Sequence, residues 1–154
     1  MKKLIILMFG LVGCTDQNPD TIDLLKLNDP ITSKWVIDSS NKLIDPYLKI
    51  QLSEKVDLIA FSSTADSKAS ASFKVKKACT QDPEFWKKYI EIKINDKNLK
   101  FTEVCFEKKQ HVILSPFEDV ERELFVNSIF DNKSINLFGL SIPTGNELKT
   151  AYSS

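Results

Sequence analysis

The residue types that most often carry chemistry are scarce in this chain. It contains a single histidine, His111, and three cysteines, Cys14, Cys79 and Cys105. A Ser-His-Asp or Cys-His arrangement would have to use His111, and no G-x-S-x-G turn is present to hold a nucleophile. His111 lies in a strand-like run beside Val112, which is typical of a structural or exposed residue. The sequence therefore argues against nucleophilic catalysis.

Paired carboxylates are the other source of acid and base chemistry. Glu118 with Asp119, or Glu121 with Glu123, are close enough in the sequence to suggest glycosidic acid/base chemistry. Acidic side chains in the first turns of a helix also complement the helix dipole and face solvent. We interpret these four carboxylates as that kind of surface, and we expect the protein not to be an enzyme.

Cofactor and nucleic-acid binding have no support in the sequence. With one histidine and no CxxC spacing, a metal site is disfavoured. The four glycines do not form a G-x-G-x-x-G or G-K-[ST] motif, so a nucleotide site is not indicated. The 21 Lys and Arg residues balance 21 Asp and Glu residues, which is unlike a nucleic-acid-binding surface. We expect no cofactor, no metal and no nucleic-acid partner.

Cys14 has a separate explanation in the N-terminal segment. Lys2 and Lys3 open the chain, and an apolar run follows that ends at Cys14, before a polar stretch. The run has roughly ten residues, whereas a membrane-spanning helix needs about 20. Residues 1–13 therefore predict a signal peptide, and the small Gly13 beside Cys14 predicts the cleavage site.

The end of this segment, Leu11-Val12-Gly13-Cys14, resembles the lipobox of bacterial lipoproteins. The resemblance covers residues 1–14 and implies that Cys14 receives a diacylglyceryl thioether, becomes the new N-terminus and is acylated there. Two or three acyl chains attach a protein to a bilayer almost permanently. Thr15 stands where retained lipoproteins of two-membrane bacteria usually carry Asp, which implies the periplasmic face of the outer membrane. The alternative is an ordinary cleaved signal peptide in which Cys14 is incidental.

Cys79 and Cys105 then remain as an even pair in an exported protein. Disulfides form and persist in the periplasm, and a closed loop of this length contributes about 3–4 kcal/mol in the chain-entropy model. We expect these two cysteines to be bridged. Two buried free thiols are the alternative.

The mature chain is short enough for one domain, and its patterns are mostly those of strands. We expect residues 14–20 to form the lipidated N-terminus and tether, and residues 21–154 to form a single periplasmic domain. The sequence predicts a short helix over 21–27 and a hairpin whose strands alternate around a turn at 95–98. Strands are expected at 34–38, 47–52, 56–62, 71–78, 90–94, 99–106, 110–114 and 134–142.

One longer helix interrupts these strands. Ser115-Pro116-Phe117-Glu118 has the pattern of a capping box with proline at the first helical position, so a helix is expected over about 116–130. Its apolar stripe would contain Phe117, Val120, Leu124 and Ile129. Asn146 is a candidate N-cap for a last short helix through Tyr152. The expected fold class is α+β, a mainly antiparallel sheet or small β-sandwich with helices packed on it.

Three functions are compatible with these observations. The first is a lipid-anchored, non-enzymatic domain that binds another envelope protein, as an inhibitor, immunity or exclusion factor, or as an accessory part of an envelope machine. The second is a small-ligand or lipid-binding module with a cavity between sheet and helix. The third, a hydrolase of envelope polymers, would require carboxylates gathered in a cleft.

Overall fold

The computed structural model describes residues 19–26, 33–39, 47–62, 69–78, 88–106 and 110–145. Within these ranges there are two helices and nine strands. They are α1 Pro19–Leu25, β1 Val36–Asp38, β2 Tyr47–Ser53, β3 Val56–Ser62, β4 Ala69–Lys76, β5 Ile90–Ile94, β6 Lys97–Phe106, β7 His111–Pro116, α2 Asp119–Asp131, β8 Ser134–Leu137 and β9 Leu140–Pro143.

The nine strands form one antiparallel sheet in the order β1-β2-β3-β4-β7-β6-β5-β8-β9. Trp35, just before β1, donates a hydrogen bond of 2.8 Å from Nε1 to the carbonyl oxygen of Pro143 in β9. The two ends of the sheet are therefore close together, which means that the sheet is strongly curled. The expected class, α+β with a mainly antiparallel sheet, is confirmed.

The core lies between the sheet and α2. Strand alternation places one set of side chains on this inner face, as Ile90, Ile92 and Ile94 of β5 illustrate. At the centre, the rings of Phe73, Phe101 and Phe125 are all fully buried, with centroids 5.2–5.6 Å apart. Aromatic pairs in such tilted and edge-to-face arrangements stabilise a core beyond their area burial, by about 0.5–1.5 kcal/mol each. The sheet and α2 are thus joined by a packed aromatic centre.

The start of α2 differs from the sequence prediction. Ser115 and Pro116 belong to β7, where they pair with Thr102 and Phe101 of β6, and the N-cap of α2 is Glu118 without a side-chain capping bond. The predicted capping box is therefore wrong. Pro116 is tolerated in the strand because β4 pairs with β7 only as far as Leu114, so its missing N–H is not needed there. The predicted end of the helix near residue 131 is confirmed.

The buried stripe of α2 matches the prediction at Ile129 but differs from it at Phe125 and Val120. Phe125 and Ile129, four residues apart, are the fully buried positions, while Leu124 is packed partly against the core. Val120 was expected in the stripe but is 63% exposed. Val120 is five residues before Phe125, which places it about 140° away around the helix, so its side chain points away from the core.

The predicted strand at 134–142 is two strands. β8 and β9 form a hairpin that closes on the pair Leu137 and Leu140, with Phe138 and Gly139 as the turn. Both turn residues have positive φ, 50° and 86°, as a type I′ hairpin turn requires. The β5–β6 hairpin is confirmed, although its turn is Asn95–Asp96 rather than four residues.

Most of the other predicted elements agree with the structure, and one lies outside the described residues. α1 and strands β1 to β7 match their predicted positions to within a few residues. The predicted final helix over 146–152 lies outside the described residues. Among the described helices, neither has the length and apolar character that crossing a membrane requires.

Candidate functional site

The sequence-predicted modification sites lie mostly outside the described residues. This applies to Gly13, Cys14 and Cys79. Cys105 is in β6, opposite Val112 of β7, and is disulfide-bonded. Because neither of the other cysteines is described, its pairing with Cys79 stays a prediction.

The candidate acid and base residues are not brought together in the described structure. Glu118, Asp119 and Glu123 are exposed at the start of α2, and Asp119 forms an ion pair of 2.9 Å with Arg122. Glu121 is one helical turn before Phe125, and its Oε2 atom is buried without a hydrogen-bond partner among the described residues. His111 begins β7, at the opposite end of that strand from the start of α2, and its side chain is on the other face of the sheet from α2.

Five ionisable side chains form a diagonal row across the outer face, the sheet face opposite α2. We call this row the charge array, and it consists of Asp38, Lys49, Asp57, Lys74 and His111. Asp57 pairs directly with Lys74 on the neighbouring strand, and the other members are diagonal neighbours. The signs of the first four charges alternate along the row, as is favourable for cross-strand neighbours.

A short ion pair in the charge array joins β1 to β2. Lys49 Nζ lies 2.7 Å from Oδ2 of Asp38, and the Tyr47 hydroxyl donates a longer bond of 3.3 Å to the same oxygen. The Asp38 side chain is only 11% exposed, so this bond is sheltered from solvent. The hydrogen bond to Asp38 raises the pKa of Lys49 above its usual value, against the opposing effect of burial. Lys49 is therefore held in its charged form.

Asp57 is the least favourably placed charge in the array. Burial raises the pKa of its carboxyl group, and the nearby charges of Lys49 and Lys74 only partly oppose this effect. The sheet therefore carries a carboxylate that is partly desolvated although two cations are near it.

A second polar cluster fixes α1 to the sheet. Lys77 Nζ donates to Oγ1 of Thr21 at 2.6 Å, and Thr21 donates in turn to Oε1 of Glu103 at 2.5 Å. Thr21 is fully buried, as is Leu25 one turn later, and Leu25 belongs to the hydrophobic core. This cluster therefore links α1 to β6 and to the residue that follows β4.

The third feature is a break in the sheet between β5 and β8. These strands are neighbours in the sheet order, yet among the described residues they pair only at Ile94 and Leu137. Beside this pair is an open groove of about 480 Å³. We call the break and the groove together the β5–β8 notch. It is lined by Lys93, Asn95, Asp96, Asn136, Phe138 and Gly139.

Two asparagines hold the turns on either side of the notch together. The backbone N–H of Asn95 donates to the backbone carbonyl oxygen of Asn136. The backbone N–H of Asn136 donates to the side-chain Oδ1 of Asn95, and both bonds are 2.8 Å long. Oδ1 of Asn136 also accepts a bond of 3.0 Å from the Gly139 amide. Asn95 has φ of 55°, a conformation that asparagine adopts more readily than most residues. The wall of the notch is therefore a bonded unit rather than two independent loops.

Phe138 is the strained residue of the notch. A bulky side chain at positive φ is a real outlier, and Asn, Asp or Gly is the usual residue at this position of a type I′ turn. Its ring is partly buried against the core and partly lines the groove. The notch was not predicted from the sequence, although Gly139 inside a strand-like run indicates a turn.

Comparison with known proteins gives no assignment. Among the described residues, no group of three or more His, Cys, Asp or Glu side chains could hold a metal ion. No protein-family model, curated protein sequence or solved structure matches this chain.

Proposed function

We propose that this chain is a lipid-anchored protein of the bacterial envelope, placed at the periplasmic face of the outer membrane, whose folded domain binds another protein. Its role would be that of an inhibitor, an immunity or exclusion factor, or an accessory part of an envelope machine. The anchor is the acylated Cys14, and the exported domain carries a disulfide between Cys79 and Cys105. These assignments rest on the N-terminal sequence and on the cysteine count.

The observation that favours a protein partner over an enclosed small ligand is the filled space between sheet and helix. A small-ligand or lipid-binding module would need a cavity there. Instead Phe73, Phe101 and Phe125 occupy this space with ring-to-ring contacts, and all three rings are fully buried. The polar features with unusual environments, the charge array and the β5–β8 notch, lie on the exterior, where a macromolecular partner has access.

The position of α1 supports a short connection to the membrane. Pro19 is five residues after Cys14, so an extended chain can separate them by at most about 18 Å. Because Thr21 and Leu25 fix α1 to the sheet, the domain would be held close to the bilayer surface. A domain concentrated at the membrane can find a membrane-bound partner without high intrinsic affinity.

The anchor and the partner can be tested in one strain series. Wild type and Cys14→Ser are expressed with a C-terminal affinity tag in the native host, labelled with radioactive palmitate and fractionated. We expect label and membrane fractionation for wild type and neither for Cys14→Ser. An unlabelled wild-type protein would contradict the anchor.

Protein binding is tested separately, because it does not require the label. The wild-type protein is cross-linked in intact cells, and each retrieved protein is then tagged in turn and tested for reciprocal retrieval. We expect one envelope protein to pass both directions and to bind the purified domain with a measurable Kd. If every reciprocal retrieval fails, the protein-binding function is wrong even where the anchor is correct.

A further inference from the structure

We propose that the β5–β8 notch is the docking site for an extended segment of the partner protein, which adds to the outer edge of β5 as a further strand. This inference rests on the proposed function for the existence of a protein partner, and it specifies where and how that partner binds. Strand addition to an exposed sheet edge is a recurrent mode of peptide recognition, in which main-chain hydrogen bonds supply affinity.

The backbone of β5 has the required orientation. A two-residue hairpin closes on a hydrogen-bonded pair, here Ile94 with Lys97, so Ile90, Ile92 and Ile94 direct their backbone groups towards β6. Glu91 and Lys93 alternate with them and direct theirs to the other side. The backbone N–H of Asn95, two residues after Lys93, points to the same side and already bonds to the carbonyl oxygen of Asn136. The edge of β5 therefore faces the notch.

β8 does not extend along this edge. It ends at Leu137, pairs with β5 at one position, and turns away at Phe138 and Gly139. Among the described residues, no backbone hydrogen bond reaches the N–H groups of Glu91 and Lys93 or the carbonyl of Glu91. A strand edge with unpaired groups is a template for pairing with another chain.

The side chains around the edge define the partner's chemistry. Glu91 and Lys93 are exposed and project on one face, so a bound strand would carry a basic residue opposite Glu91 and an acidic residue opposite Lys93. At the groove, the ring of Phe138 offers an apolar contact. The partner segment is thus an extended peptide with both charge signs and one apolar residue.

The strain at Phe138 is consistent with this role. Residues held in sparsely populated backbone regions persist when the surrounding structure enforces them, and they cluster at binding sites. Here the type I′ turn places an aromatic ring beside the open edge, where asparagine or glycine would form the same turn without strain.

The test uses site-specific photo-crosslinking in the full-length, membrane-anchored protein. The photoreactive amino acid p-benzoylphenylalanine replaces Lys93 at the notch or, as a control, Gln51 on the outer face. Cross-linked products are digested and the attached partner segment is sequenced. That segment is synthesised as a peptide, and its binding to the purified domain is measured by titration and by amide hydrogen exchange.

Two proline variants distinguish the β5 edge from other edges. Glu91→Pro removes an outward N–H of β5, and Ser141→Pro removes an outward N–H of the edge strand β9, where Pro143 already occupies the same phase. We expect cross-links from position 93, protection of the Glu91 and Lys93 amides by the peptide, and about a tenfold weaker Kd for Glu91→Pro. Ser141→Pro should bind within twofold of wild type.

The contrary results are equally specific. Cross-links to the same partner from position 51 but not 93, or equal effects of the two proline variants, overturn strand addition while leaving a protein partner in place. If Glu91→Pro fails to fold, unchanged exchange of the Glu91 and Lys93 amides in the wild-type complex would also overturn strand addition. Failure of every reciprocal retrieval would instead remove the partner itself.

Discussion

The charge array and the β5–β8 notch are parts of the same sheet, but they differ in how many of their polar groups have partners within it. In the array, each of the first four charges has an opposite charge on a neighbouring strand, as Asp38 has Lys49 and Asp57 has Lys74. The backbones of the strands that carry the array are also well paired, and β3 and β4 share seven residue pairs. In the notch, β5 and β8 share one pair.

The difference bears on which of the two regions is the better candidate for a binding site. Cross-strand charge pairs contribute a few tenths to about 1 kcal/mol, and the alternating signs of the array compensate its charges, with the exception of the partly desolvated Asp57. Backbone N–H and C=O groups at an open edge require a partner, either water or another strand. The notch is therefore the region whose chemistry is completed by something outside the described fold.

The largest expected effect is a difference in stability between proline substitutions on the two sides of β5. Ile92→Pro removes an N–H that bonds to β6 and also removes a buried side chain, so we expect it to lower the free energy of unfolding by about 3–5 kcal/mol. Glu91→Pro, one residue earlier, removes an N–H that faces the notch and should cost less than about 1 kcal/mol. Urea denaturation of both variants measures the difference. Equal costs would mean that the Glu91 amide is already bonded within the fold, and the contrast between array and notch would fail.

A smaller effect is expected at the strained turn. Phe138→Ala and Phe138→Gly both lose the ring, but only glycine is relaxed at φ of 50°. We therefore expect the glycine variant to be the more stable by about 1 kcal/mol in thermal or urea unfolding. At Lys93, in a regular strand, the order should reverse, with Lys93→Ala more stable than Lys93→Gly by about 0.5–1 kcal/mol. Alanine as the better replacement at both positions would show that Phe138 stores no strain.

Local patterns predicted the strands well. The alternation of Ile90, Ile92 and Ile94 identified both the hairpin and its buried face, because side chains on a strand point to opposite faces in turn. The helix start was mispredicted for a tertiary reason. Ser115 and Pro116 have the local pattern of a cap, but pairing with β6 keeps them in a strand. A capping motif competes with a partner strand that is not adjacent in the sequence.

The notch could not be predicted because it depends on how far the β8–β9 hairpin is shifted along the β5–β6 hairpin. Its residues come from two hairpins whose relative register is set by a single pair, Ile94 with Leu137, and no local pattern specifies that register. The charge array is similar, since its members are on five strands and become neighbours only through the sheet order. Gly139 signalled a turn, but nothing in the sequence indicated that an aromatic residue would precede it at positive φ.

The smallest expected effect tests whether the array is fully compensated. The pKa of Asp57 is raised by burial, so the folded state binds its proton more tightly than the unfolded state does. Stability should therefore fall as pH rises from the unfolded-state pKa through the folded-state pKa, and remain lower above both. Asp57→Asn should remove this dependence and be more stable than wild type at pH 7, by less than about 1 kcal/mol because the group is only half buried. The gain in stability should disappear when urea denaturation is repeated below pH 4. The control variant is Asp96→Asn, which removes a carboxylate from the exposed turn beside the notch. A gain for Asp57→Asn that is independent of pH would mean that the array does not hold a desolvated charge.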